Sequence, residues 1–186
     1  LSTEASAMTR EQREHILRAA GAIAQEREIV VLGSQAILGT FPEAPQELRH
    51  SIEADAFPLG APEKADLIDG TIGELSPFHE TYGYYVHGIT PESATLPEGW
   101  RERLVRVSTP ATQGVTGLCL APEDIAASKL AAGREKDLDF VTVLLCHRMV
   151  DPVQLRARIA QLPAEHESQA ASALAFGAQR EPKCVR

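Results

Sequence analysis

Behind a polar opening at Thr9, apolar residues recur three and four positions apart: Ile16, Leu17, Ala20, Ile23 and Ala24. Thr9-x-x-Gln12 is a capping-box pattern, so the spacing predicts a helix over about 9–26. A short unbroken apolar run, 29–32, follows and has the length of a buried strand. Gly33 and Ser34 turn the chain into a short helix that Gly39 and Pro42 end. The stretch 41–49 holds two prolines and no period, and reads as a mobile loop. A second strand over 52–58 alternates, with Glu53 and Asp55 on one face and Ile52 and Ala54 on the other. Pro58, Gly60 and Pro62 turn into a helix over about 63–75 with Ala65, Leu67, Ile68, Ile72 and Leu75 as its buried side. The β-formers of 82–89 predict a third strand, and 104–107 and 115–120 predict two more that pair with each other. Helices follow over 122–132, opened by Pro122 and stopped by Gly133, then over 135–148, 152–162 and about 165–176. The expected class is α/β (α+β), a mixed sheet flanked by helices with a helical C-terminal part. One domain over 1–186 is expected, with a sheet core over about 9–120 and the helical region over about 121–176.

The chemistry concentrates between residues 29 and 58. Two carboxylates side by side on one strand face repel each other unless a cation sits between them. A divalent metal is the simple remedy, and Mg²⁺ is commonly held by one or two carboxylates with its other positions left to water and phosphate. Glu53 and Asp55 are therefore the expected metal ligands. The Gly33-Ser34 turn at the end of the preceding strand offers backbone N–H groups where a phosphate binds. Ser34 also suits a helix cap. Lys129 lies in the small-residue helix AASKLAAG, where a lysine is ordinarily a snorkelling surface residue.

A Gly-Ser turn after a strand, followed some twenty residues later by an acid-x-acid strand, resembles the minimal bacterial nucleotidyltransferase fold. The runs SIEADAFP, YGYYVHGITPESATLPEGWRERLV and LAPEDIAASKLAAGREKDLDFV make the chain similar to the MenT and AbiEii type toxins of toxin–antitoxin systems, over roughly 29–143. The resemblance implies a Mg²⁺-dependent transfer of a nucleoside monophosphate from an NTP to an acceptor hydroxyl, on a tRNA end or a protein. It implies catalytic roles for Glu53, Asp55, Lys129 and Asp137, and phosphate contacts from Gly33, Ser34, Lys129, Arg134 and Lys136. An antitoxin partner is implied as well. This chain has Glu-x-Asp where relatives carry Asp-x-Asp, and its predicted strands over 82–89 and 104–107 contain no third carboxylate. That departure favours a rival from another class: a protein that keeps the fold and binds without turnover, or an inert toxin–antitoxin partner.

Composition narrows the remaining classes. The formal charge of −8 argues against broad non-specific nucleic-acid binding, which depends on phosphate neutralisation. Local basic groups, Arg101 with Arg103 and Arg106, and Arg134 with Lys136, still suit an RNA end or a triphosphate. Cys119, Cys146 and Cys184 fit no metal-ligand spacing and read as two buried apolar side chains and a tail thiol. The six histidines form no HxH or HxxxH pair. No apolar run approaches a membrane span and the first thirty residues are too charged for a signal peptide, so the expectation is a cytoplasmic protein with no membrane partner.

Overall fold

The computed structural model describes residues 7–179, with side chains described to residue 175. The described residues divide into two compact units, 7–93 with 104–120, and 94–103 with 121–179.

The first unit is built on a five-stranded mixed sheet. Helix α1 (Arg10–Ala24) starts where the sequence indicates, because Thr9 accepts from the Gln12 backbone while the Gln12 side chain accepts from the Thr9 N–H. Its buried stripe is Ile16, Leu17, Ala20 and Ala24. Strand β1 (Glu28–Leu32) is apolar on both faces and takes the sheet centre, which its near-continuous burial requires. After a single 3₁₀ turn (Ser34–Ala36) and the one-turn helix α2 (Ile37–Thr40), strand β2 (Glu53–Pro58) returns antiparallel to β1. The stretch 41–49 is tied to the core by Ala44 and Leu48, 2% and 1% exposed, and by Met8 N–H donating to the Arg49 carbonyl.

Helix α3 (Ala65–Ile72) buries Ala65, Ile68 and Ile72. Leu67 and Leu75, expected on that face, are instead 52% and 80% exposed. Gly73 ends the helix early, and Leu75 then adopts a left-handed backbone, φ 61°, that points it away from the core. A six-residue helix α4 (Pro77–Tyr82) takes up the start of the expected third strand, which is shortened to β3 (Tyr85–Gly88). Ser76 caps α4, and its Phe78 and Tyr82 rings pack around His15 of α1. Strand β4 (Val105–Val107) pairs antiparallel with β5 (Thr116–Cys119), as expected, and β5 runs parallel to β1. The order β3-β2-β1-β5-β4 gives the mixed sheet flanked by helices that the sequence predicts.

In the second unit, helix α5 (Pro122–Ala132) runs from an N1 proline to Gly133, whose φ of 66° closes the helix as a left-handed cap. Ala126 and Ala127 are fully buried, and these small side chains let α6 (Glu135–Cys146), α7 (Pro152–Ile159) and α8 (Ala164–Gln179) all pack on α5. Asp124 has no exposed side-chain surface and is gripped by Arg103, whose Nε and Nη2 each donate at 2.9 Å, with Arg158 Nε at 3.6 Å. That fork holds the 94–103 segment in the helical unit. Of the cysteines, Cys119 is free and buried, as expected, whereas Cys146 is half-buried on α6 and not the buried apolar side chain expected. Cys184 lies outside the described residues. Among the described residues, no helix is long and apolar enough to cross a membrane.

Candidate functional site

Alternation along β2 sends Ala54 and Ala56 into the core and leaves Glu53 and Asp55 partly exposed, 36% and 28% at the side chain. Pairing with β1 sets Asp55 opposite Leu32, so the next residue, Gly33, comes against the carboxylate. Its backbone, φ 65° and ψ −160°, lies where only glycine rests without strain. A Cβ there would run into Asp55 Oδ2, so the glycine is required twice, by conformation and by space. Ser34 is the first residue of the following turn, and no side chain caps that turn. With only a 3₁₀ turn and a four-residue helix behind it, any anion there would be held by local N–H groups and not by a long helix dipole.

The third member of the cluster comes from the neighbouring strand. β2 and β3 pair in parallel with Glu53 opposite Tyr85 and Asp55 opposite His87. His87 Nδ1 therefore lies 3.1 Å from Asp55 Oδ1 and 3.5 Å from Glu53 Oε1. Tyr85 donates its hydroxyl to Glu53 Oε2 at 2.7 Å. One ligand atom from each of Glu53, Asp55 and His87 lies within 4.8 Å of the other two. Sequence reasoning found the acid pair and noted that the third strand carries no carboxylate, but it missed the imidazole standing in that strand beside the pair. Only the register between β2 and β3 reveals His87, and register is a long-range property.

Burial pushes the Asp55 carboxyl above the ordinary carboxylate range and the neighbouring Glu53 adds to the rise, while the His87 hydrogen bond opposes both. The Tyr85 hydroxyl is also pushed up, by burial first and by its bond to Glu53. It stays a donor at every physiological pH.

The other sequence-predicted residues lie in the second unit and form a cluster of their own. Lys129 Nζ donates to Asp137 Oδ1 at 3.0 Å, and Arg134 Nε to Asp137 Oδ2 at 2.6 Å. Lys129 is only 16% exposed at the side chain and its ammonium sits 4.5 Å from the centre of the Phe140 ring. It is neither a solvated surface lysine nor short of a partner. Burial alone would raise the Asp137 carboxyl, but the Arg134 and Lys129 bonds outweigh it and hold the group below the usual range. Lys136 is exposed. Of the other basic groups, Arg103 is committed to Asp124, Arg106 pairs with Glu28 at 3.1 Å, and Arg101 lies over the Trp100 ring.

Compared with known proteins, residues 14–177 match the model of a family described as "Nucleotidyltransferase of unknown function (DUF6036)". No curated protein and no solved structure matches the chain.

Proposed function

The chain belongs to this nucleotidyltransferase family, and from that premise we propose that it transfers a nucleoside monophosphate from an NTP to an acceptor hydroxyl at the Glu53–Asp55 face. The observation carrying the proposal is that two carboxylates share a strand face with a glycine turn pressed against one of them. In this reading the acceptor oxygen bonds to the α-phosphorus, the α–β phosphoanhydride bond breaks and pyrophosphate leaves. The hydroxyl proton passes to solvent.

The residues fit a divalent cation of the Mg²⁺ type. Both carboxylates are oxygen donors, they stand side by side on one strand face, and they are partly open to water and phosphate. When bound, such an ion neutralises triphosphate charge and makes an acceptor hydroxyl more acidic. The chain's own residues do the positioning. Tyr85 fixes the Glu53 carboxylate through Oε2 and so presents Oε1, and Gly33 lets the backbone approach Asp55 closely enough for the Gly33 and Ser34 N–H groups to meet the phosphates of an NTP held there.

The acceptor proposed is a tRNA end or a protein hydroxyl, as for the toxins this sequence resembles, and a partner protein of the antitoxin kind belongs to the same proposal. The test incubates the protein with each α-³²P-labelled NTP and a divalent cation, with bulk tRNA, with protein, or alone. Labelled acceptor and released pyrophosphate, both lost in Asp55→Asn, are expected. The rival reading is a non-catalytic nucleotide-binding protein, favoured by Glu53 in the place where an aspartate is usual and by the lack of a carboxylate on β3. NTP binding without any labelled product would establish it and refute transfer.

A further inference from the structure

We propose that His87 is a third protein ligand of the same cation site, and that its imidazole turns the site toward Mn²⁺ over Mg²⁺. The inference rests on Glu53 and Asp55 being metal ligands. It goes beyond that reading in the donor set and in the ion selected.

Each carboxylate in the cluster has one oxygen beside another neighbour and one beside His87. Glu53 Oε2 accepts from Tyr85, and Asp55 Oδ2 lies against the Gly33 backbone. The remaining oxygens, Oε1 and Oδ1, are the two that face His87 Nδ1, at 3.5 and 3.1 Å. Adjacent ligand atoms on an octahedral ion with bonds of about 2.1–2.2 Å stand about 3 Å apart. The two edges that meet at the imidazole thus already lie near the spacing of one face of a coordination octahedron, and the third, between the carboxylate oxygens, spans no more than 4.8 Å and closes when an ion draws the two oxygens together. Two carboxylates with a neutral imidazole match a divalent charge. His87 is 53% exposed at the side chain, which leaves the opposite face open for water and phosphate.

The donor set determines the selectivity. Mg²⁺ gains little from nitrogen and favours an all-oxygen shell, whereas first-row transition ions bind imidazole increasingly well from Mn²⁺ onward. Carboxylate and phosphate oxygens remain acceptable to Mn²⁺. A site of two carboxylates and one imidazole therefore keeps the charge chemistry of a nucleotidyl-transfer centre while shifting its preference away from Mg²⁺.

The test reads the metal directly. Mn²⁺ is added to the full-length protein and pulsed electron paramagnetic resonance records ¹⁴N modulation from a directly bound nitrogen. Mn²⁺ and Mg²⁺ affinities are measured in parallel by titration on wild type, His87→Gln and His87→Asp, with melting temperatures confirming that each variant folds. Wild type should show ¹⁴N coupling that both variants lack. His87→Gln should lose Mn²⁺ affinity by at least about tenfold, since even an outer-shell partner is worth that much, and lose much less for Mg²⁺. His87→Asp should restore an all-oxygen set and reverse the preference. Absence of ¹⁴N coupling in wild type, or an unchanged Mn²⁺-to-Mg²⁺ ratio in His87→Gln, overturns the proposal. Divalent-dependent transfer alongside either of those results would leave the enzymatic reading standing. ¹⁴N-coupled Mn²⁺ with no transfer from any NTP would uphold the ligand and refute the enzyme.

Discussion

Replacing Asp55 with asparagine should make the metal-free protein more stable while removing its response to divalent ions. A carboxylate oxygen of Glu53 and one of Asp55 lie within 4.8 Å of each other. Two unit charges at that separation repel by about 0.9 kcal/mol at the dielectric of water and by about 3.5 kcal/mol at an effective value of 20. The side chains are about a third exposed, and His87 stands beside both carboxylates, so the lower figure applies, and relief of about 1 kcal/mol is expected. For a chain of this size that is an increase in melting temperature of about 2–4 °C. The sign also fixes the pH dependence. Because the folded-state Asp55 carboxyl is raised, its protonated form favours the fold. The stabilising contribution of Asp55 is fully present below the ordinary value of 3.8 and is lost as pH rises through the higher folded-state value. The stability gap between Asp55→Asn and wild type should therefore be full at neutral pH and close as pH falls toward 4. Scanning fluorimetry from pH 4 to 8, with and without Mn²⁺, reads both effects. A metal-free variant that melts several degrees below wild type would refute the reasoning, since Asp55 would then be held by a structural partner stronger than the repulsion.

The other predictions follow the same contacts. Lys129→Ala removes one of the two cations on the fully buried Asp137 carboxylate and should cost about 2 kcal/mol, less than a fully orphaned buried charge because Arg134 remains. Since the Asp137 carboxyl is lowered, its contribution is present above the unfolded value of 3.8 and lost as pH falls below it, so the Lys129→Ala deficit should shrink in acid; an unchanged neutral melting temperature would contradict the pairing. Gly33→Ala forces a non-glycine residue into φ 65°, ψ −160° against Asp55, and should lose about 1–3 kcal/mol of stability together with Mn²⁺ binding measured by titration. Tyr85→Phe releases Glu53 Oε2 and should weaken Mn²⁺ affinity by about tenfold with the fold retained by circular dichroism; unaltered affinity would remove Tyr85 from the site.

Local signals were legible wherever a single residue does the structural work. Thr9 and Gln12 mark the start of α1, Pro122 and Gly133 bracket α5, and the alternation through Glu53 and Asp55 identifies β2 and its polar face. Helix α4 was not recognised because Phe78, Tyr82, Tyr84 and Tyr85 have the aromatic composition of a strand. Ser76 before Pro77, and Gly83 after Tyr82, were nevertheless capping signals for a short helix. Periodicity puts Leu75 on the buried face without registering that Gly73 ends the helix first, while Leu67 lies inside α3 but about 200° round the helix from Ala65, outside the buried Ala65–Ile68–Ile72 stripe. The candidate site divides in the same way. Its acid pair is a two-residue pattern on one strand, but His87 joins it only through the β2–β3 register, and Lys129 meets Asp137 only after the chain turns at Gly133.

The central claim, that nucleotide and cation meet at Glu53 and Asp55 beside the Gly33-Ser34 turn, is tested most directly by a crystal structure with Mn²⁺ and a non-hydrolysable NTP analogue, with data collected at the manganese edge. An anomalous peak bonded to Glu53 Oε1 and Asp55 Oδ1, with the triphosphate against the Gly33 and Ser34 N–H groups, is the predicted result. A nucleotide bound at any other place, or a manganese ion bonded to neither carboxylate, would contradict the account.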